Sequence, residues 1–133
     1  MPVAPVTPIV PSRIQHDCAL TALSMLVGKS YHRVLRAAYR RWPTYIIHHG
    51  LDGDNIIKLA RDLRTRLRYL EPFDPTNDEH TEHGLLLLRR PDHVVFLRRG
   101  LVVEAEETGS LWDVEDYLSH HHPHAVGVLV PAA

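Results

Sequence analysis

The chain holds one cysteine, Cys18, in the stretch Ser12-Arg13-Ile14-Gln15-His16-Asp17-Cys18, where a polar segment gives way to an apolar, helix-periodic one. The apolar pattern begins with the cysteine itself, so the spacing predicts Cys18 in the first turn of a helix. Unpaired backbone N–H groups and the positive end of the helix dipole favour an anion there, and the thiolate is the form of cysteine that attacks carbonyl carbon. A cysteine nucleophile also needs a base, and the base needs an orienting group. His93 opens the run His93-Val94-Val95-Phe96-Leu97, which places its imidazole at the start of a strand. Glu104 lies at the far end of the following apolar run, across the turn Arg98-Arg99-Gly100. In an antiparallel pair the start of one strand neighbours the end of the other, so Glu104 is expected within reach of His93. The plainer alternatives are a cysteine serving as a small core hydrophobe and one structural or surface histidine among the eleven.

These residues have to be positioned by the elements around them. Leu20, Leu23, Met25, Leu26 and Val27 continue the pattern from Cys18 to Gly28, a helix stop. Ser30 is placed to cap a second helix with Val34, Leu35, Ala38 and Tyr39 inward, ended by Pro43. A loop through His48-His49-Gly50 leads to a third helix, capped by Asp52 or Asp54, with Ile56, Ile57, Leu59, Ala60 and Leu63 inward. All three are expected to be amphipathic. From Arg64 the period shortens. Leu67–Leu70, Gly84–Leu88, His93–Leu97, Leu101–Ala105 and Ala125–Val130 read as strands, Phe73–Asp78 as a turn-rich loop, and Trp112–Leu118 as a short helix. Helices followed by a mostly antiparallel sheet define an α+β domain. Residues 1–11, rich in proline, read as an extended lead-in, and 12–133 as one domain, a length able to bury a core.

Composition narrows the function classes. With 44% hydrophobic and 23% charged residues and a net charge of -1, the chain reads as a globular domain, with neither nucleic acid nor an anionic membrane implied. The apolar runs fall far short of the roughly 20 residues that span a bilayer. The N-terminus lacks the basic segment of a secretory signal, and a single cysteine permits no internal disulfide; both agree with a reducing, cytoplasmic setting. His48-His49 and His120-His121-His122-Pro123-His124 are rich in metal-binding side chains, but consecutive histidines do not share a helix face, and the second group reads as a polar connector. His80 and His83, with Glu79 and Glu82, read as a solvated loop. Arg33, Arg36, Arg40 and Arg41 recur at helical spacing as a basic face. No glycine-rich phosphate loop is present, which disfavours a nucleotide enzyme.

The stretch Asp17-Cys18-Ala19-Leu20-Thr21-Ala22-Leu23-Ser24-Met25-Leu26-Val27-Gly28-Lys29-Ser30-Tyr31 resembles the nucleophile helix of papain-like cysteine peptidases of the C39-like group. The segment from Asp92 to Leu118 is similar to that group's second motif: His-Val-Val, a hairpin glycine, an acid, and a short passage into a helix. With Gly50–Leu70 between them, the resemblance covers Gln15 to about Val130. It implies a papain-like fold in which Cys18 is the nucleophile, His93 the general base and later acid, Glu104 the orienting carboxylate and Gln15 an oxyanion donor. The chain departs from the family pattern at Ala19, where glycine is usual, at Glu104, where Asp or Asn is usual, and at Gln15, three residues before the cysteine rather than five or six. The expected activity is thiol-dependent hydrolysis of a peptide or amide bond in a peptide or protein substrate, with no cofactor and no metal. The alternatives are a papain-like binding module with weakened catalysis, and an acyltransferase or deamidase using the same triad.

Overall fold

The computed structural model describes residues 18–89, 93–104, 110–121 and 124–132. Helix α1 (Cys18–Val27) is present as expected, but it is not amphipathic: every residue from Ala19 to Leu26 is buried. A helix apolar on all sides belongs in the middle of a core, and its one buried hydroxyl pair is accommodated locally, with Ser24 Oγ donating to the Thr21 carbonyl at 2.7 Å. Gly28 ends α1 at φ +69°, a left-handed conformation that costs glycine nothing, and donates to the Ser24 carbonyl at 3.0 Å.

Helix α2 (Tyr31–Arg41) is capped by Ser30, whose Oγ accepts the Arg33 N–H at 3.2 Å. It buries Tyr31, Val34, Ala37 and Ala38. Tyr39, expected inward, is instead 41% exposed, because the stripe turns through Ala37 and Ala38, whose small side chains let the helix lie close to its neighbours. The expected loop through His48-His49 contains a further short helix, α3 (Thr44–His49), entered from Pro43 in extended geometry. Helix α4 (Gly53–Asp62) starts where Asp52 accepts the Asn55 N–H at 2.8 Å, and buries Ile56, Leu59 and Ala60.

Six strands follow: β1 (Leu67–Leu70), β2 (His83–Arg89), β3 (His93–Arg98), β4 (Leu101–Glu104), β5 (Ser110–Asp113) and β6 (His124–Pro131). They form one antiparallel sheet in the order β1-β6-β2-β3-β4-β5. The β3–β4 hairpin turns at Arg99 and Gly100, both at positive φ, as expected for a two-residue turn. Trp112, expected in a helix, lies in β5. Asp113 explains the shift, since its Oδ1 accepts the N–H groups of Glu115 and Asp116 at 2.9 and 3.2 Å and so starts helix α6 (Val114–His121) two residues later than expected. A short helix, α5 (Asp78–Thr81), interrupts the connection from β1 to β2, and His83 lies in β2 rather than in a loop.

The sheet divides the apolar residues by strand alternation. Leu85, Phe96, Val103 and Leu129 face α1, α2 and α4 in the larger core, with Leu87 and Val94 at its margin. Leu86, Leu88, Val95, Leu97 and Val102 point the other way, onto Val114 and Tyr117 of α6. The molecule is an α+β domain of N-terminal helices followed by an antiparallel sheet.

Candidate active site

Cys18 is the first described residue of α1, half-buried where the helix emerges from the core. Ala19 and Leu20 behind it are sealed in apolar surroundings, so the helix start cannot shift without exposing them. The first N–H groups of a helix have no intrahelical acceptor and can receive an oxygen. His93 is the first residue of β3 and is also half-buried. It pairs with Leu88 of β2, and alternation places it with Val95 and Leu97 rather than with Val94 and Phe96. The two residues thus belong to elements with different partners: Cys18 to the helix layer, His93 to the end of the sheet. Both nevertheless line one cleft of about 850 Å³.

One wall of the cleft runs from Gly50 to Asp54 and includes Ile57 of α4; the other is formed by Leu87, Arg89 and Val94 of the sheet, with Tyr69 of β1. Sequence reasoning did not find the Gly50–Asp54 wall or Tyr69. A signal for the latter does exist in Gly127, a glycine inside the apolar strand β6, since strand glycines mark close approach. The ring of Tyr69 lies against Gly127 so closely that a Cβ would have no room. Burial raises the Tyr69 phenol above its usual range, the hydrogen bond and negative charge of Glu71 add to this, and Arg89 opposes it. The hydroxyl therefore remains a neutral donor at the cleft.

Of the other residues singled out in the sequence, Gln15 lies outside the described residues. Glu104 ends β4, one step beyond the Phe96–Val103 pair, so its backbone stands at the level of Val95, two residues short of His93. His80 lies in α5, where its Nδ1 accepts the Asp74 N–H at 3.0 Å, away from the cleft. His120 and His121 stack with Trp112 and Tyr117 on the α6 side, with ring centroids 4.4 to 5.1 Å apart. Among the described residues no group of three or more His, Cys, Asp or Glu is arranged to hold a metal, and no helix is long and apolar enough to cross a membrane. A thiol and an imidazole in one cleft supply a nucleophile and a proton carrier, the minimum for acyl transfer.

No family model and no curated protein matches the chain. Among solved structures it is similar to a double-glycine-motif protease from an AMS/PCAT transporter, crystallised in complex with the leader peptide. The match has a TM-score of 0.61 and 14% identity, and covers 97% of this chain and 94% of that one. At that identity the likeness is one of fold, and it extends over the whole domain. The chain has a C39-like fold.

Proposed function

We propose that this domain is a thiol hydrolase acting on a peptide or amide bond, with Cys18 as nucleophile and His93 as general base and then acid. The observation that carries the reading is the convergence of Cys18 and His93 on one cleft from separate elements of the fold. The likeness to a protease crystallised with a leader peptide supports a peptide as the substrate class. In the acylation step the Cys18 thiolate bonds to the carbonyl carbon, and the oxygen takes up the electron pair facing the Cys18 backbone N–H. Collapse of that intermediate expels the amine, which receives the proton carried by His93. A water molecule, deprotonated by the same imidazole, then hydrolyses the thioester. Gln15 is the side-chain candidate for a second oxyanion donor and Glu104 for the carboxylate that orients His93.

The chemistry is tested at Cys18 directly. Iodoacetamide should alkylate Cys18 at pH 6 about tenfold faster in the parent than in His93→Ala, because the imidazolium stabilises the thiolate that reacts. Equal rates would remove the pairing and leave a binding module as the better reading. The carboxylate is tested by comparing Glu104→Gln with Glu106→Gln, using a thiol-directed acylating probe. Loss of acylation in Glu104→Gln alone supports its role; loss in Glu106→Gln alone moves the role two residues along the chain.

A further inference from the structure

The charge of the chain is divided along its length: residues 29–68 carry ten Lys and Arg against three Asp, and residues 69–133 carry four against twelve Asp and Glu. Much of the basic half is concentrated on α2, which has no acidic residue at all. Its guanidiniums fall into two groups. Arg41 is tied to α4, with Nε and Nη2 donating to the two Asp62 carboxylate oxygens at 2.6 and 2.7 Å. That pairing holds the Asp62 carboxyl below its usual range, chiefly through the hydrogen bonds. Arg33, Arg36 and Arg40 are exposed, and none of their side chains has a hydrogen-bond or ion-pair partner among the described residues.

These three occupy positions i, i+3 and i+7, one line along the exposed side of the helix, away from the buried Val34 and Ala38. Like charges three and four residues apart repel, so the stripe works against the helix that carries it. The inward residues and the Ser30 cap already hold α2 in place, and of the three arginines only Arg40, in the last turn, is favoured by the helix dipole. Tyr39, 41% exposed, adds an aromatic edge beside the line of charge. At 1.5 Å per residue the stripe is about 10 Å long, roughly two turns of a facing helix.

We infer that the outer face of α2, built from Arg33, Arg36 and Arg40, docks an acidic helical segment of a partner polypeptide. A matching segment carries carboxylates at the same i, i+3, i+7 spacing, and its binding relieves the repulsion along α2. The surface acts whether or not the cleft cleaves anything, so its test uses no hydrolysis.

The probe is a fluorescent 15-residue alanine-rich peptide with Glu at i, i+3 and i+7, compared by anisotropy with the same peptide carrying Gln. The Glu peptide should bind the full chain about tenfold tighter than the Gln peptide at low salt, and lose that advantage in about 0.5 M NaCl. The triple variant Arg33→Gln, Arg36→Gln, Arg40→Gln should lose the preference with its helical circular dichroism unchanged. The corresponding triple lysine variant should retain it. The inference is overturned if the two peptides bind equally, or if the glutamine variant binds like the parent. It is likewise overturned if vesicles containing anionic lipid, or duplex DNA, bind this face in preference to the Glu peptide.

Discussion

The two faces of the sheet are built from alternating residues of the same strands, yet they are covered very differently. The face that carries Leu85, Phe96 and Leu129 lies under α1, α2 and α4, with fully buried Leu20, Leu23, Val34, Ile56 and Leu59 among its partners. The face that carries Leu86, Val95 and Leu97 meets, among the described residues, Val114 and Tyr117 of α6, with Phe73, Trp112 and Leu118 only half-buried at its edge. The sheet residues of the two sets are equally apolar, so the difference resides in the covering layer. Cys18 belongs to the well-anchored layer, while His93 alternates with the residues of the thinly covered one. Cys18 and His93, which line the same cleft, are thereby held by different parts of the fold.

Leu85 and Leu86 are adjacent in β2, are both fully buried, and face opposite layers, so they isolate this difference. Truncating a buried leucine to alanine costs about 2–5 kcal/mol, with the value set by how far the surroundings close the cavity. Leu85→Ala should fall toward the upper end of that range, because three packed helices cannot all move inward. Leu86→Ala should fall toward the lower end, because α6 can settle onto the sheet. Urea unfolding of the two variants measures both values, and equal losses would show that the α6 face is as rigid as the other.

A smaller effect is expected where backbone, rather than side chain, limits the sheet. A Cβ added at Gly84 would lie 2.6 Å from the Leu129 carbonyl oxygen, a main-chain atom of the neighbouring strand β6. Gly84→Ala must therefore spread β2 from β6, with a loss of about 1–3 kcal/mol. Gly127→Ala meets first the end of the Tyr69 ring, which can turn aside. It should cost less stability but change the cleft, read as a shift in Tyr69 fluorescence or in the alkylation rate of Cys18. A larger stability loss at Gly127 than at Gly84 would mean that Tyr69 is locked in place and that the cleft wall is part of the core.

The contrast between the faces also accounts for what could be read in advance. Helix α1, its glycine stop, the Ser30 and Asp52 caps and the β3–β4 turn are specified by residues within a few positions of one another, and all were legible. The burial of α1 on every side was not, because Thr21 and Ser24 look like a polar face until the Ser24 hydroxyl is seen to bond the Thr21 carbonyl. Pro43 ends α2, as its sequence position implies, but the same residue allows a new helix to begin at once, and α3 follows it. The sheet order was out of reach, since β6, last in the chain, inserts between β1 and β2, and no local pattern encodes such distant pairing. For the same reason Cys18 and His93 were found by their chemistry, while Tyr69 and the Gly50–Asp54 wall, brought to the cleft by tertiary structure, were not.

The smallest effect concerns proton linkage on the helix-covered face. His83 alternates with Leu85 and Leu87, and its ring meets Phe96 edge-on at 5.7 Å between centroids. Burial lowers its pKa below the ordinary 6.5, the neighbouring Arg98 adds to the lowering, and Glu82 opposes it. With the folded value below the unfolded one, the unfolded chain binds more protons in the interval between them, so stability rises with pH across that interval. Read downward, the native state loses stability as the pH falls below about 6.5, and the loss levels off once the folded histidine also protonates. His83→Gln keeps a polar side chain of similar reach but removes the titration. The urea midpoint of the parent should fall between pH 7.5 and pH 5.5 by more than that of the variant, with other titrating groups cancelling in the comparison. An identical fall in both would mean that the His83 ring is hydrated in the native state, and that the margin of the thick layer at Phe96 is as open to water as the α6 side.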